Sequence, residues 1–349
     1  MDLMNYFINL VAPPASMLMM AFAWPTLAVL RAAEWIYRTI NSENMEGKVV
    51  VITGASSAMG EKITYQYAIK KANLVLVAKR EQRLWGIREN ARLLGANLVV
   101  VIAADVVKDE ECRRFINDTI NYFGRLDHLV NTTNLGHSFY FEDALDTSMF
   151  PHLLDINFWG SVYPTYFALP YLRESHGRII VNASVESWVA MPRMSLYAAA
   201  KAAVINFYET LRLELKDDVG ITIATHGWIC REMNQTKFMF EEGADMQWKE
   251  DRELPIYGAH VEEFAKMIVD GACRGEAYVK YPTWSDALFL YKVLTPDVLR
   301  WTFRLLFAGR SGRKGYISGN NGASRPLLEA PLARKDTPPP SAPASPNRR

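Results

Sequence analysis

Short apolar runs recur between residues 48 and 282, and helix-like stretches separate them. Residues 49–52, 74–77, 98–102, 129–130, 179–181 and 221–224 are aliphatic or β-branched at nearly every position, rather than at alternate ones. A strand with one wet face alternates, whereas a strand apolar throughout is covered on both faces. Helices must therefore lie on both sides of the sheet. The expectation is an α/β chain with a doubly wound parallel sheet of the Rossmann type spanning residues 45–283. Hydrophobic residues make up 50% of the 349-residue chain, enough to fill such a core.

Residues 3–30 contain no charge and are dominated by Met, Leu, Phe, Trp and Ala. That length matches a single crossing of a hydrocarbon layer. Pro13, Pro14 and Pro25 interrupt it, and proline both removes a backbone donor and kinks a helix. A bent or hairpin insertion is expected over residues 1–40, rather than one straight span. Ala21-Phe22-Ala23 resembles a signal-peptidase site, but the start of the chain carries Asp2 rather than basic residues, and prolines interrupt the apolar stretch. Arg31 and Arg38 follow the apolar stretch, where positive charge favours the cytosolic side.

Residues 284–311 read as a helical extension, either docked on the core or facing a membrane. Residues 312–349 collapse to Gly, Pro, Ser, Ala and Arg, the composition of a disordered tail. A net charge near +1 gives nucleic-acid binding no electrostatic support. Cys112, Cys230 and Cys273 are scattered, with neither disulfide nor metal-ligand spacing, and no metal is expected.

Two segments carry chemistry. Thr53-Gly54-Ala55-Ser56-Ser57-Ala58-Met59-Gly60 follows the first apolar run and opens a helix. There a pyrophosphate meets free backbone N–H groups and the positive end of the helix. Tyr197 and Lys201 stand four apart in an alanine-rich helix, so both face one site. The ammonium is expected to lower the phenol pKa, which is otherwise near 10. Lys79 and Arg80 close the second run, where basic side chains suit a ribose 2′-phosphate. A solvated charge pair is the plainer reading of those two.

TGASSAMG resembles the TGxxxGxG turn of the short-chain dehydrogenases, with Ala58 in place of the middle glycine. Ser184, thirteen residues before Tyr197, and Asn157 in DINFWG match that family's serine and helix asparagine. The resemblance implies that Tyr197 exchanges the hydroxyl proton and that Ser184 bonds the substrate oxygen. Lys201 would hold the nicotinamide ribose, and Asn157 would support a water-linked proton path. Gly54, Ser56, Ser57, Ala58, Met59, Gly60, Asn131 and Ile229 would line an NADP(H) site, with Asp105 near the adenine ring. Three departures stand out: Asn131-Thr132-Thr133-Asn134 for the family's NNAG, His226-Gly227 for proline-glycine, and Arg231 for a serine or threonine.

The apolar N-terminus, Glu46-Gly47-Lys48-Val49-Val50, RLDHLV at 125–130, Pro192-Arg193-Met194-Ser195 and WTFRLL at 301–306 look like the plant steroleosins. That likeness implies a hydroxysteroid dehydrogenase acting at the 11β or 17β position. It also implies an anchor in lipid droplets and endoplasmic reticulum, a catalytic domain facing the cytosol, and a homodimer along the tyrosine helix. Residues 228–258, with Met233, Phe238, Met239, Phe240, Met246 and Trp248, would cover the steroid. Two alternatives stand beside it: a non-catalytic droplet-surface or sterol-sensing protein with a decayed cofactor site, and a reductase of another lipid carbonyl.

Overall fold

The computed structural model describes residues 2–136, 141, 147–227, 261–282 and 285–308. Ile229, Arg231, the segment 228–258 and the tail 312–349 lie outside the described residues. Met1–Phe303 form one compact unit and Arg304–Arg349 a second.

After a long N-terminal helix, α1 (Asp2–Ile40), strands and helices alternate as expected. They are β1 (Val49–Thr53), α2 (Ala58–Ile69), β2 (Asn73–Ala78), α3 (Glu81–Leu93), β3 (Val99–Ala103), α4 (Asp109–Phe123) and β4 (His128–Asn131). There follow α5 (Met149–Leu154), α6 (Gly160–Glu174), β5 (Arg178–Ser184), α7 (Ser195–Leu215), β6 (Gly220–His226), α8 (Val261–Cys273), β7 (Tyr278–Tyr281), α9 (Ser285–Leu294) and α10 (Pro296–Ala308). The seven strands are parallel, in the order β3-β2-β1-β4-β5-β6-β7. The order reverses between β1 and β4, which opens a crevice at their carboxyl ends, where ligands of such sheets bind.

The five inner strands bury both faces, while the edge strands β3 and β7 are only partly covered. Val50 and Ile52 of β1 join Ile63 and Tyr67 of α2, Leu84 of α3 and Phe264 of α8 in one core layer. Val49 and Val51 join Phe115 of α4, Leu172 of α6 and Tyr208 of α7 in the other. The unbroken apolar runs of the sequence are this two-sided burial.

α1 continues through Pro13 and Pro14. Its bend of 47° lies between Leu10–Ala23 and Pro25–Ile40. Pro25 at that point removes one helical hydrogen bond and crowds the preceding turn. Among the described residues no single helix is long and apolar enough to cross a membrane, but this bent pair passes by length and composition. The C-terminal extension is two helices rather than one, because Pro296 starts a new helix after Thr295. Phe289 of α9 packs edge-on against Trp188, with ring centroids 5.4 Å apart.

Candidate active site

The turn after β1 is shaped by two glycines. Gly54 has φ +65°, and a Cβ there would stand 2.8 Å from Thr133 N. A Cβ on Gly60 would fall 2.4 Å from Gly54 O, so the first turn of α2 lies directly on the loop. Ser57 caps α2, its Oγ accepting from Gly60 N at 3.0 Å. Ala58 is the first residue of α2 and is not among the positive-φ residues. Its methyl therefore carries no backbone penalty, and the departure from the glycine pattern leaves the turn intact.

The NTTN segment is accommodated in the same way. Thr132 Oγ1 donates to Thr53 O at 2.7 Å, and the Thr133 backbone fits beneath Gly54 because Gly54 has no side chain. Asn131 is committed to the framework. Its amide donates to Ser161 O, Thr165 Oγ1 and Tyr208 OH at 3.1–3.3 Å, and its Oδ1 accepts from Thr53 Oγ1.

At the edge of the turn, Arg80 reaches back from the end of β2 and donates to Ser56 O at 2.8 Å and to Ser56 Oγ at 3.2 Å. Lys79 instead pairs with Asp105 at 2.9 Å. Of the two basic residues, Arg80 is the one whose charge borders the phosphate turn.

Beyond the switch point the proton-handling residues converge. A single π-helical turn, Asp155–Trp159, joins α5 to α6 and carries Asn157. Such bulges collect at functional sites. Asn157 accepts from Leu135 N at 3.0 Å and donates to Leu135 O at 2.8 Å, which clamps the loop after β4. Ser184 ends β5 opposite His226 of β6. Its hydroxyl donates to the Glu186 carboxyl. Tyr197 and Lys201 are both fully buried on α7, and Lys201 Nζ donates to Asn182 O at 3.1 Å.

The expected lowering of the Tyr197 pKa by Lys201 does not appear. Burial drives the phenol well above its ordinary value, and the Glu186 charge adds to that. Burial also brings the Lys201 ammonium down to about 7, against the opposing pull of Glu186. The ammonium lies 5.8 Å from the Tyr197 ring centroid and bonds the β5 backbone instead, so desolvation outweighs their attraction. The Ser184 hydroxyl and Asn134 amide flank the phenol and favour its ionised form, but neither completes a hydrogen bond of ordinary geometry. His226 is a framework residue: burial holds its imidazole at about 4, and its ring packs edge-on against Phe264.

Glu186 is the site residue that motif matching passes over. Its signal in the sequence is an acid two residues after Ser184, inside an otherwise uncharged stretch.

The site fits a nicotinamide dinucleotide on two observations. Gly54 and Gly60, where a side chain would strike Thr133 N and Gly54 O, let the turn pack tightly against the N-terminus of α2, the kind of helix end at which a pyrophosphate is held. Thr133 Oγ1, Asn134 Oδ1, Asn182 Oδ1 and Tyr197 OH are buried near the carboxyl ends of β4 and β5 without a hydrogen-bond partner among the described residues. Buried polar atoms are rarely left so, and together they mark a surface built for a polar ligand.

Residues 48–242 match the family model described as short chain dehydrogenase. The chain belongs to that family. This dehydrogenase is 66% identical over 337 residues to "11-beta-hydroxysteroid dehydrogenase B" of Sesamum indicum, covering 96% of this chain and 92% of that one. It is 61% identical over 348 residues to "11-beta-hydroxysteroid dehydrogenase-like 5" of Arabidopsis thaliana, covering 99% and 89%. A solved short chain dehydrogenase/reductase from Burkholderia phymatum, in complex with NAD, superposes with a TM-score of 0.64 at 20% identity, covering 72% of this chain and 94% of that one. That last likeness speaks to the fold. The protein is thus an oxidoreductase of that family, and the Ala58 and NTTN departures leave the turn after β1 intact.

Proposed function

We propose that this dehydrogenase interconverts a hydroxysteroid and its ketosteroid, at the 11β or 17β position, using NADP(H). The observation that carries the reading is the convergence of Ser184, Tyr197 and Lys201 beside the Gly54 turn, within a chain 66% identical to a relative named as an 11β-hydroxysteroid dehydrogenase. When bound, the cofactor supplies or accepts the hydride. The phenol of Tyr197 gives or takes the proton of the substrate oxygen, and Ser184 orients that oxygen. Lys201, with a pKa near neutrality, supports the proton exchange from behind the phenol.

Arg80 supports the choice of NADP. Its guanidinium is held against the phosphate turn by Ser56, and no acid stands at the end of β2. A fork of N–H donors suits a phosphate rather than a hydroxyl. The reading places the protein on lipid droplets and endoplasmic reticulum, anchored by α1 with the catalytic domain in the cytosol. The exposed Met17, Leu18, Met19, Phe22 and Leu30 support it, as do Arg31 and Arg38 beyond them. A homodimer along α7 accompanies it, where the apolar Leu213 is exposed.

Fluorescence titration of the full-length protein in detergent tests the cofactor, followed by turnover on 11β- and 17β-hydroxysteroids. NADPH is expected to bind about tenfold or more tighter than NADH, and Arg80→Ala to erase the difference. Equal affinity for the two would overturn the NADP assignment, and absence of steroid turnover would overturn the substrate.

A further inference from the structure

β5 ends at Ser184, and the chain turns at once into a single 3₁₀ turn, Val185–Ser187. That turn folds against α7 and leaves Glu186 only 5% exposed. A carboxyl group so deep requires partners. From β5, the Ser184 hydroxyl donates to it. From α7, Lys201 acts on it by charge, and Tyr197 feels its charge in return. From β6, the His226 carbonyl lies 3.4 Å from Ser184 Oγ, with the imidazole held neutral by burial.

A serine hydroxyl has one proton to donate and lone pairs with which to accept. Tyr197 carries the proton that moves in either direction, so Ser184 is left to hold the substrate oxygen. A ketone oxygen can only accept from it, whereas an alcohol can accept from it or donate to it. The direction of the Ser184 proton therefore sets how well each is held.

We propose that Glu186 is a positioning residue that decides where the Ser184 proton points, and so whether the site holds the ketone or the alcohol more tightly. The inference rests on the dehydrogenase reading above and deepens it. With Glu186 ionised, its carboxylate takes the Ser184 hydrogen bond. The Ser184 oxygen then faces the substrate as an acceptor, which suits an alcohol. With Glu186 protonated, its own O–H donates to Ser184 Oγ. The Ser184 proton is then released toward a ketone oxygen. Burial raises the Glu186 carboxyl above its ordinary value, against the pull of Ser184 and Lys201, so this change falls at higher pH than for an exposed glutamate.

KM for the ketosteroid in reduction and for the hydroxysteroid in oxidation, measured with the full-length protein across pH, tests the proposal. Reduction itself consumes a proton, so both directions depend on pH in any case. Glu186→Gln, which cannot ionise, isolates the contribution of the carboxyl group. The wild-type ratio of the two KM values should carry an inflection of about fivefold to tenfold, the weight of one hydrogen bond, and Glu186→Gln should lack it. Infrared difference spectra between wild type and Glu186→Gln read the carboxyl stretch without any turnover. In Ser184→Ala its titration should move to higher pH, because the bond that favours the ionised form is gone. Superimposable pH profiles in wild type and Glu186→Gln, or a carboxyl titration that ignores Ser184→Ala, would overturn the proposal. A protein that turns over no steroid defeats the substrate reading alone, and the infrared titration still decides the role of Glu186.

Discussion

Glu186, Tyr197 and Lys201 titrate as a group, because each lies in the field of another and all three are buried. Burial favours the neutral form of each. Two consequences follow for the chemistry. Tyr197 keeps its proton in the free site and is set up as a donor toward a ketone oxygen. Lys201, near 7, can gain or lose a proton in the ordinary working range. Tyr197→Phe retains the ring and its packing while deleting the proton. It should lower turnover by about 10²- to 10⁴-fold with NADPH affinity nearly unchanged. Steady-state kinetics beside a fluorescence titration would show this, and full activity in that variant would remove Tyr197 from the mechanism.

At the scale of elements, the active-site edge of the sheet has a counterpart at the opposite end. There the link 41–48, between α1 and β1, is stapled under the strands. Glu43 N donates to Cys273 O of α8 at 2.9 Å, and the Glu43 carboxyl meets His128 Nε2 of β4 at 3.2 Å and the Lys48 ammonium. His128 Nδ1 lies 2.8 Å from Tyr67 OH of α2. Burial works to raise the Glu43 carboxyl, but its bonds to His128 and Lys48 outweigh that and bring it down to about 2. Burial lowers the His128 pKa, which keeps the imidazole neutral. Because the folded value for Glu43 lies below its unfolded value, its contribution is complete above about pH 4.5 and is lost as pH falls toward 2. Glu43→Gln should therefore cost on the order of 2 kcal/mol at neutral pH, after screening by partial exposure, and little at pH 2. Denaturant midpoints measured at both pH values check this, and an equal loss at each would assign the effect to packing instead.

At the scale of the molecule, a hydride-transfer domain is joined through that staple to a long helix whose apolar side chains remain outside the core. In its last turn α1 carries Arg38, which bonds Glu34 and the Gly275 carbonyl, so the helix is tied to the domain near α8. If α1 is the anchor, deleting residues 1–40 should move the protein from the droplet fraction to the supernatant on flotation. Retention of the truncated protein on droplets would transfer the anchoring role to α9 and α10, where Leu290, Tyr291, Leu294 and Trp301 are exposed.

The sequence alone determined the sheet, its two-sided cover of helices, the phosphate turn and the spacing of Ser184, Tyr197 and Lys201. All of these are written in local periodicity and short motifs. Tertiary structure decided what those motifs experience. Gly54 is required because Thr133, far along the chain at the end of β4, packs against its Cα. Ala58 is tolerated because α2 begins at that residue. Asn131, which a motif match assigns to the cofactor, is held by Ser161, Thr165 and Tyr208 from α6 and α7. The expected attraction between Tyr197 and Lys201 gave way to desolvation, and Glu186 entered the site through a single turn after β5. A pKa or a steric limit depends on what long-range packing places within a few ångströms of a group, and spacing along the chain does not carry that information.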